Sequence, residues 1–286
     1  MDRVIGLGSL GCAVAEELTA YPEYRVYKID SETKERVSLS LGKFPDIKSY
    51  EEKVDTDEIS VYLRSIKEED DVLLIVEGGD PISGATLRIL ETLKDCSISV
   101  LYVCPDRFLA SEVERRDDKI VFNILQEYAR SGVLKNVYLT NKPSVEALAG
   151  DVSVQHYEKN ISYFISYAVA MVNYFTHTKP ILSTKSSPRN SCRIASYGVS
   201  SLDKSGPVNL LFPLQSITDV HFFYGIPKKQ LEEDETLIKK IKEQVKNYKN
   251  SDEMTTSFSV CEVTLESPIV LCVAFSQEIQ KFAFSE

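Results

Sequence analysis

The opening of the chain constrains its fold most. A short apolar segment at residues 3–6 runs into Gly6-Leu7-Gly8-Ser9-Leu10-Gly11, and a helical pattern follows from about Cys12. Glycines at this spacing between a strand and a helix have separate uses. The first permits a tight turn, the second lets backbone approach a phosphate, and the third lets the helix pack closely. The helix start adds unpaired N–H groups and a positive dipole end. Gly6, Gly8, Ser9, Gly11 and Cys12 are therefore candidate phosphate-binding positions. The plainer alternative is a glycine-rich turn with no ligand.

Further apolar runs at residues 24–29, 72–76, 100–104 and 137–139 alternate with helical segments, among them 82–93 and 119–129. Such alternation predicts an α/β fold with a parallel Rossmann-like nucleotide-binding sheet covered by helices on both faces. Right-handed crossovers then bring every strand C-terminus, and the ligand, to one edge. At that same edge the run 72–76 enters Glu77-Gly78-Gly79-Asp80-Pro81-Ile82-Ser83-Gly84, a second glycine turn leading into a helix. Two such turns can grip a triphosphate from both sides, which adds Gly78, Gly79, Ser83 and Gly84 to the candidates.

Residues 157–175 read as a long central helix, apolar around most of its circumference and so buried on several sides. Residues 176–190 are polar, contain Pro180 and Pro188, and read as a linker. Strand patterns at 193–199, 208–214, 220–224, 257–263 and 269–274, with one charged helix at 231–249, predict a smaller mixed-sheet C-terminal domain. The domain reading is thus 1–156 for nucleotide binding, 157–175 for the central helix and 190–286 for the α+β domain.

Charge and composition narrow the function classes. A formal net charge of −10, with no basic run carrying interleaved aromatics, argues against nucleic acid as a partner. No apolar run approaches the roughly 20 residues needed to span a bilayer. The six cysteines stand singly in apolar stretches, without CxxC pairs, and read as reduced thiols of a cytoplasmic protein. The three histidines are scattered, so no zinc site is expected, and no Ser/His/Asp or Cys/His arrangement suggests a catalytic residue.

In the order of these features the chain resembles the tubulin/FtsZ superfamily. The family's first glycine loop corresponds to Gly6–Gly11, its second, proline-containing loop to residues 41–46, and its phosphate-holding GGGTGTG-type loop to Gly78–Gly84. Pro105, in Val103-Cys104-Pro105-Asp106, resembles the loop near the ribose. Glu112 and Arg116 correspond loosely to a Glu/Arg pair, although a solvated helix face is the simpler account of them. Asn141, in Tyr138-Leu139-Thr140-Asn141, and Asn160, near the start of the central helix, take the places of the base-recognising residues. The resemblance spans about residues 1–175. It implies a guanine nucleotide (GTP or GDP, with magnesium as accompanying cation), self-association and a cytoskeletal role.

Two departures qualify that implication. Asp80-Pro81 replaces small, flexible residues in the phosphate loop, so a carboxylate would face a triphosphate unless a cation bridges them. Proline also removes one N–H donor. The family's acidic catalytic loop after the central helix is replaced by Thr176-His177-Thr178-Lys179-Pro180, and the helix that normally follows shrinks to the stretch 186–190. Little or no GTP hydrolysis is expected, so at most a weak GTPase. Two other classes stay open. One is a Rossmann oxidoreductase using NAD, with Asp30 as the ribose carboxylate. The other is a ligand-free relic of the fold with a structural or regulatory role.

Overall fold

In a computed structural model the described residues are 1–33, 35, 37–184, 188–202, 208–249, 251 and 253–281. The chain divides into two units, Met1–Tyr167 and Ala168–Glu286. The division falls inside the helix α7 introduced below, not at its ends.

The first unit is built on parallel β-strands: β1 (Arg3–Leu7), β2 (Arg25–Asp30), β3 (Leu39–Ser40), β4 (Asp71–Glu77), β5 (Ser97–Cys104) and β6 (Asn136–Asn141). Their order is β3-β2-β1-β4-β5-β6, every pairing parallel. Val72–Val76 are wholly buried, as expected of a strand covered on both faces. The helices are α1 (Gly8–Leu18), α2 (Ile47–Lys53), α3 (Thr56–Leu63), α4 (Thr86–Thr92), α5 (Glu112–Ser131) and α6 (Lys142–Ala149). A 3-10 turn at Pro81–Ala85 precedes α4.

The long helix α7 (Tyr157–His177) matches the predicted central helix. Ile161, Ile165, Val169, Val172 and Phe175 are buried on it. It is not covered all round, however. Tyr163 and Tyr174 are about half exposed, and their phenol groups account for the misreading, since each presents an apolar ring with a hydrated tip.

The second unit is a mixed sheet, as composition suggested. Its strands are β7 (Leu182–Ser183), β8 (Ile194–Ser200), β9 (Asn209–Leu210), β10 (Ile217–Pro227), β11 (Thr255–Val263) and β12 (Ile269–Ser276). Their order is β9-β8-β12-β10-β11-β7, antiparallel except between β10 and β11. That parallel pair is joined by α8 (Lys228–Glu233) and α9 (Leu237–Tyr248). From α9, Leu237, Ile241 and Val245 pack on Phe222, Tyr224 and Ile226. The predicted shortening at 186–190 falls partly on Ser186 and Ser187, which lie outside the described residues.

Candidate functional site

Strand β1 delivers the chain to Gly8, and α1 begins there, four residues earlier than the sequence pattern indicated. Gly8 has φ +75°, a conformation that L side chains rarely adopt. Its N-cap residue is Leu7, and no side chain caps the helix, so the first-turn amides are left without a side-chain partner. Ser9 is exposed at this end.

The two neighbouring glycines act through packing. A methyl group on Gly6 would lie 2.3 Å from the Gly11 carbonyl oxygen, and one on Gly11 would lie 2.6 Å from that of Ile75. Gly6 has no positive φ. It lets α1 lie close to its strand, whereas the sequence reading gave it the tight turn. Cys12 sits half-buried, its Sγ within 3.4 Å of the Gly6 carbonyl and 3.5 Å of that of Ile29. Burial, with Asp30 nearby, pushes its thiol up to about 12.

The second glycine turn meets the first. A methyl on Gly8 would come 2.8 Å from Ile82 Cγ2 and 3.6 Å from Asp80 Oδ2. Gly79, at φ +82°, brings in the third wall, because a methyl there would lie 3.3 Å from the Glu114 carbonyl oxygen and 3.5 Å from Pro105 Cγ. Beneath them Gly78 rests on a buried polar cluster. Tyr102 donates to Asp118 Oδ1 at 2.7 Å, and Arg107 binds Asp118 Oδ2 through both Nε and Nη2. The loop after β5 is thereby pinned to α5 from below.

The second glycine turn, the loop after β5 and the starts of α5 and α7 border an open cavity of about 620 Å³ at the C-terminal edge of the strands, and no residue of the first glycine turn lines it. Its lining includes Gly78, Gly79 and Pro105, with Tyr157 from the start of α7. The charge of the lining is unusual for a phosphate site. Five carboxylates (Glu77, Asp80, Asp106, Glu114, Asp117) face one cation, Lys142, whose Nζ lies 2.5 Å from Glu77 Oε1. Burial raises both Glu77 and Asp80 above the ordinary carboxylate range, and for Asp80 the negative charges of Asp30 and Glu114 add to it. Asp80 Oδ1 also accepts from the Ile82 amide at 3.1 Å, so the 3-10 turn is capped by its own side chain. Among the described residues no group of three or more His, Cys, Asp or Glu side chains could hold a metal ion.

Several predicted residues stand apart from this cavity's lining. Ser83 and Gly84 are buried behind the turn, with Gly84 pressed on the Ile47 carbonyl. Glu112 and Arg116 are exposed on α5, and Arg116 pairs with Asp117 at 2.9 Å. Asn141 caps α6 by accepting from the Ser144 amide at 2.8 Å, and Asn160 is half-buried in the first turn of α7. Asp30 ends β2 and accepts from the Ser31 amide at 2.7 Å.

Sequence reading missed Glu114, Asp117, Lys142 and Tyr157. Two were signalled. Ser111 and Glu114 form a capping box, the Ser111 amide donating to Glu114 at 2.6 Å, which fixes the helix start at the sheet edge. Lys142 directly follows a strand end on that edge.

Comparison with known proteins fits this architecture. No protein-family model matches the chain, and a search of curated proteins finds no match. Solved structures do match. A GTPγS-form protofilament of TubZ from Bacillus thuringiensis serovar israelensis aligns at TM-score 0.74 and 14% identity, covering 96% of this chain and 86% of that one. The FtsZ dimer of M. jannaschii aligns at 0.68 and 13%, covering 96% and 87%. CetZ2 from Haloferax volcanii, in a GTPγS-bound protofilament, aligns at 0.68 and 12%, covering 96% and 92%.

The chain has the tubulin/FtsZ fold. Gly8 and Gly79, both at positive φ, stand in the turns that follow β1 and β4, and five carboxylates line the cavity beside the second of them. Among the described residues no helix is long and apolar enough to cross a membrane.

Proposed function

We propose that this tubulin/FtsZ-like chain binds a guanine nucleotide at the meeting of its two glycine turns, self-associates, and hydrolyses GTP slowly or not at all. The observation that carries the reading is the contact between the turns. The uncapped start of α1 at Gly8 lies against the side chains of Asp80 and Ile82 of the second turn, so the two turns meet at the C-terminal edge of the strands. The structural relatives are described as a dimer and as GTPγS protofilaments, which supports both the nucleotide and the self-association.

In this reading the Gly8, Ser9 and Leu10 amides hold phosphate oxygens, and Gly79 lets backbone approach from the other side. Asp80 stands where the phosphate charge would fall. A magnesium ion carried in with the triphosphate would give it a partner, with Asp80 as a single protein ligand. Slow turnover follows from the segment after α7, where Thr178-Lys179-Pro180 offers no carboxylate to position a water.

The test is sedimentation with GTP and magnesium, with phosphate release measured in the same samples. GTP-dependent pelleting with phosphate release far below one turnover per minute supports the proposal. Rapid turnover would refute the weak-GTPase part, and identical pelleting with and without nucleotide would refute the nucleotide-dependent part. The acid-rich lining points to one alternative specifically, a ligand-free relic of the fold with a structural or regulatory role, and that second outcome would select it.

A further inference from the structure

Two buried hydroxyls behind the second glycine turn lack hydrogen-bond partners: Ser83 Oγ and Thr86 Oγ1. Each residue is only 1% exposed. Both line one small pocket of about 30 Å³, walled by Ile47 and the exposed Glu51 of α2, Leu87 of α4, and Val121 and Ile124 of α5. It is separate from the larger cavity at the sheet edge, whose lining does not include Ser83 or Thr86.

Several helix hydroxyls of this chain, one of them on α4 itself, are satisfied one turn back. Ser60 donates to the Thr56 carbonyl at 2.8 Å, Thr92 to that of Arg88 at 2.9 Å, and Thr176 to that of Val172 at 2.7 Å. Ser83 and Thr86 do not follow this pattern. They sit on either side of the change from 3-10 to α winding between Ala85 and Thr86. An unpaired buried hydroxyl keeps its full desolvation cost, so a partner in the cavity is strongly favoured.

The cavity is large enough to supply one. A space of roughly 10–15 Å³ on this measure admits a water, provided at least two polar groups receive it. We infer that this pocket is a water-binding site in which Ser83 Oγ and Thr86 Oγ1 hold an ordered water molecule. Ile47 belongs to the same wall, and its carbonyl oxygen abuts Gly84. Through the two hydroxyls the water links the 3-10 turn to the first turn of α4. Ser83 therefore serves the support of the turn rather than its anion-facing side.

A high-resolution crystal structure of the whole chain, with and without xenon under pressure, tests this. The expected result is water density within hydrogen-bond distance of both hydroxyls and no xenon at the site. In Ser83→Ala/Thr86→Val the water is lost and xenon enters, as it does in dry apolar cavities. Should the double variant not fold, water-to-amide magnetisation transfer in the unaltered protein, strongest at the Ser83–Thr86 amides, supports the site in its place. Density in which the two hydroxyls instead bond backbone carbonyls around an empty cavity would overturn it. So would xenon in the unaltered cavity, or the lack of any long-lived water signal at those amides.

Discussion

Replacing Asp80 by Asn isolates the feature that most separates this site from a plain phosphate-binding turn. Asn caps helices about as well as Asp, so the bond to the Ile82 amide, 3.1 Å in the native chain, survives while the negative charge is removed. Asp80 Oδ2 lies 3.6 Å from where a Gly8 methyl would stand. A phosphate on the α1 amides would then be roughly 5 Å from the carboxylate, a repulsion of about 1–3 kcal/mol per unit charge at effective dielectric constants between water's and about 20. Affinity for GTP in EDTA should rise about 5- to 150-fold in Asp80→Asn, because each 1.4 kcal/mol is tenfold. Magnesium should shrink the gap, since a bridging cation helps only the native carboxylate. Isothermal titration of both proteins, with EDTA and with magnesium, reads this directly. Equal or weaker binding by the Asn variant in EDTA would refute the placement of the phosphate beside Asp80.

The same variant carries a pH signature. Asp80 is raised above its ordinary value by burial and by like charges, so the folded chain retains a proton that the unfolded chain has released. Its contribution to stability therefore falls as pH rises from about 4 through the raised value, and Asp80→Asn should gain stability relative to the native chain over that span in urea titrations. Arg107→Ala strands the wholly buried Asp118 and should cost about 3–5 kcal/mol by chemical denaturation, less at low pH where Asp118 takes a proton. The Cys12 thiol, pushed up to about 12, should alkylate roughly a thousandfold more slowly near neutral pH than an unhindered thiol; mass spectrometry of a timed labelling series would show a fast Cys12 if that is mistaken.

The parallel sheet was readable because buried strands such as residues 72–76 are continuous apolar runs, and the glycines mark where the chain must turn. Gly8 and Gly79 were found because a positive φ leaves a glycine in the sequence. The same logic also named Ser83 and Gly84, which are buried behind the turn. A glycine is also required where backbones touch, as Gly84 meets Ile47, and one sequence cannot separate that need from ligand approach. The charge of the cavity was less legible. Glu114 and Asp117 come from a helix face, and reading them onto the site needs the rotation of α5, which the Ser111 cap and the Arg107–Asp118 pin determine. Asn141, at a strand end, accepts from the Ser144 amide and so caps α6, a local use that the sequence pattern alone does not reveal.

The central claim is that the two glycine turns share one nucleotide. Protein purified in magnesium, denatured, and analysed by mass spectrometry for released small molecules tests it most directly. GTP or GDP in near-stoichiometric amount, reduced when Gly8 is replaced by a bulkier residue, is the predicted result. Release of NAD, or of no nucleotide together with no thermal shift on adding millimolar GTP, would contradict it.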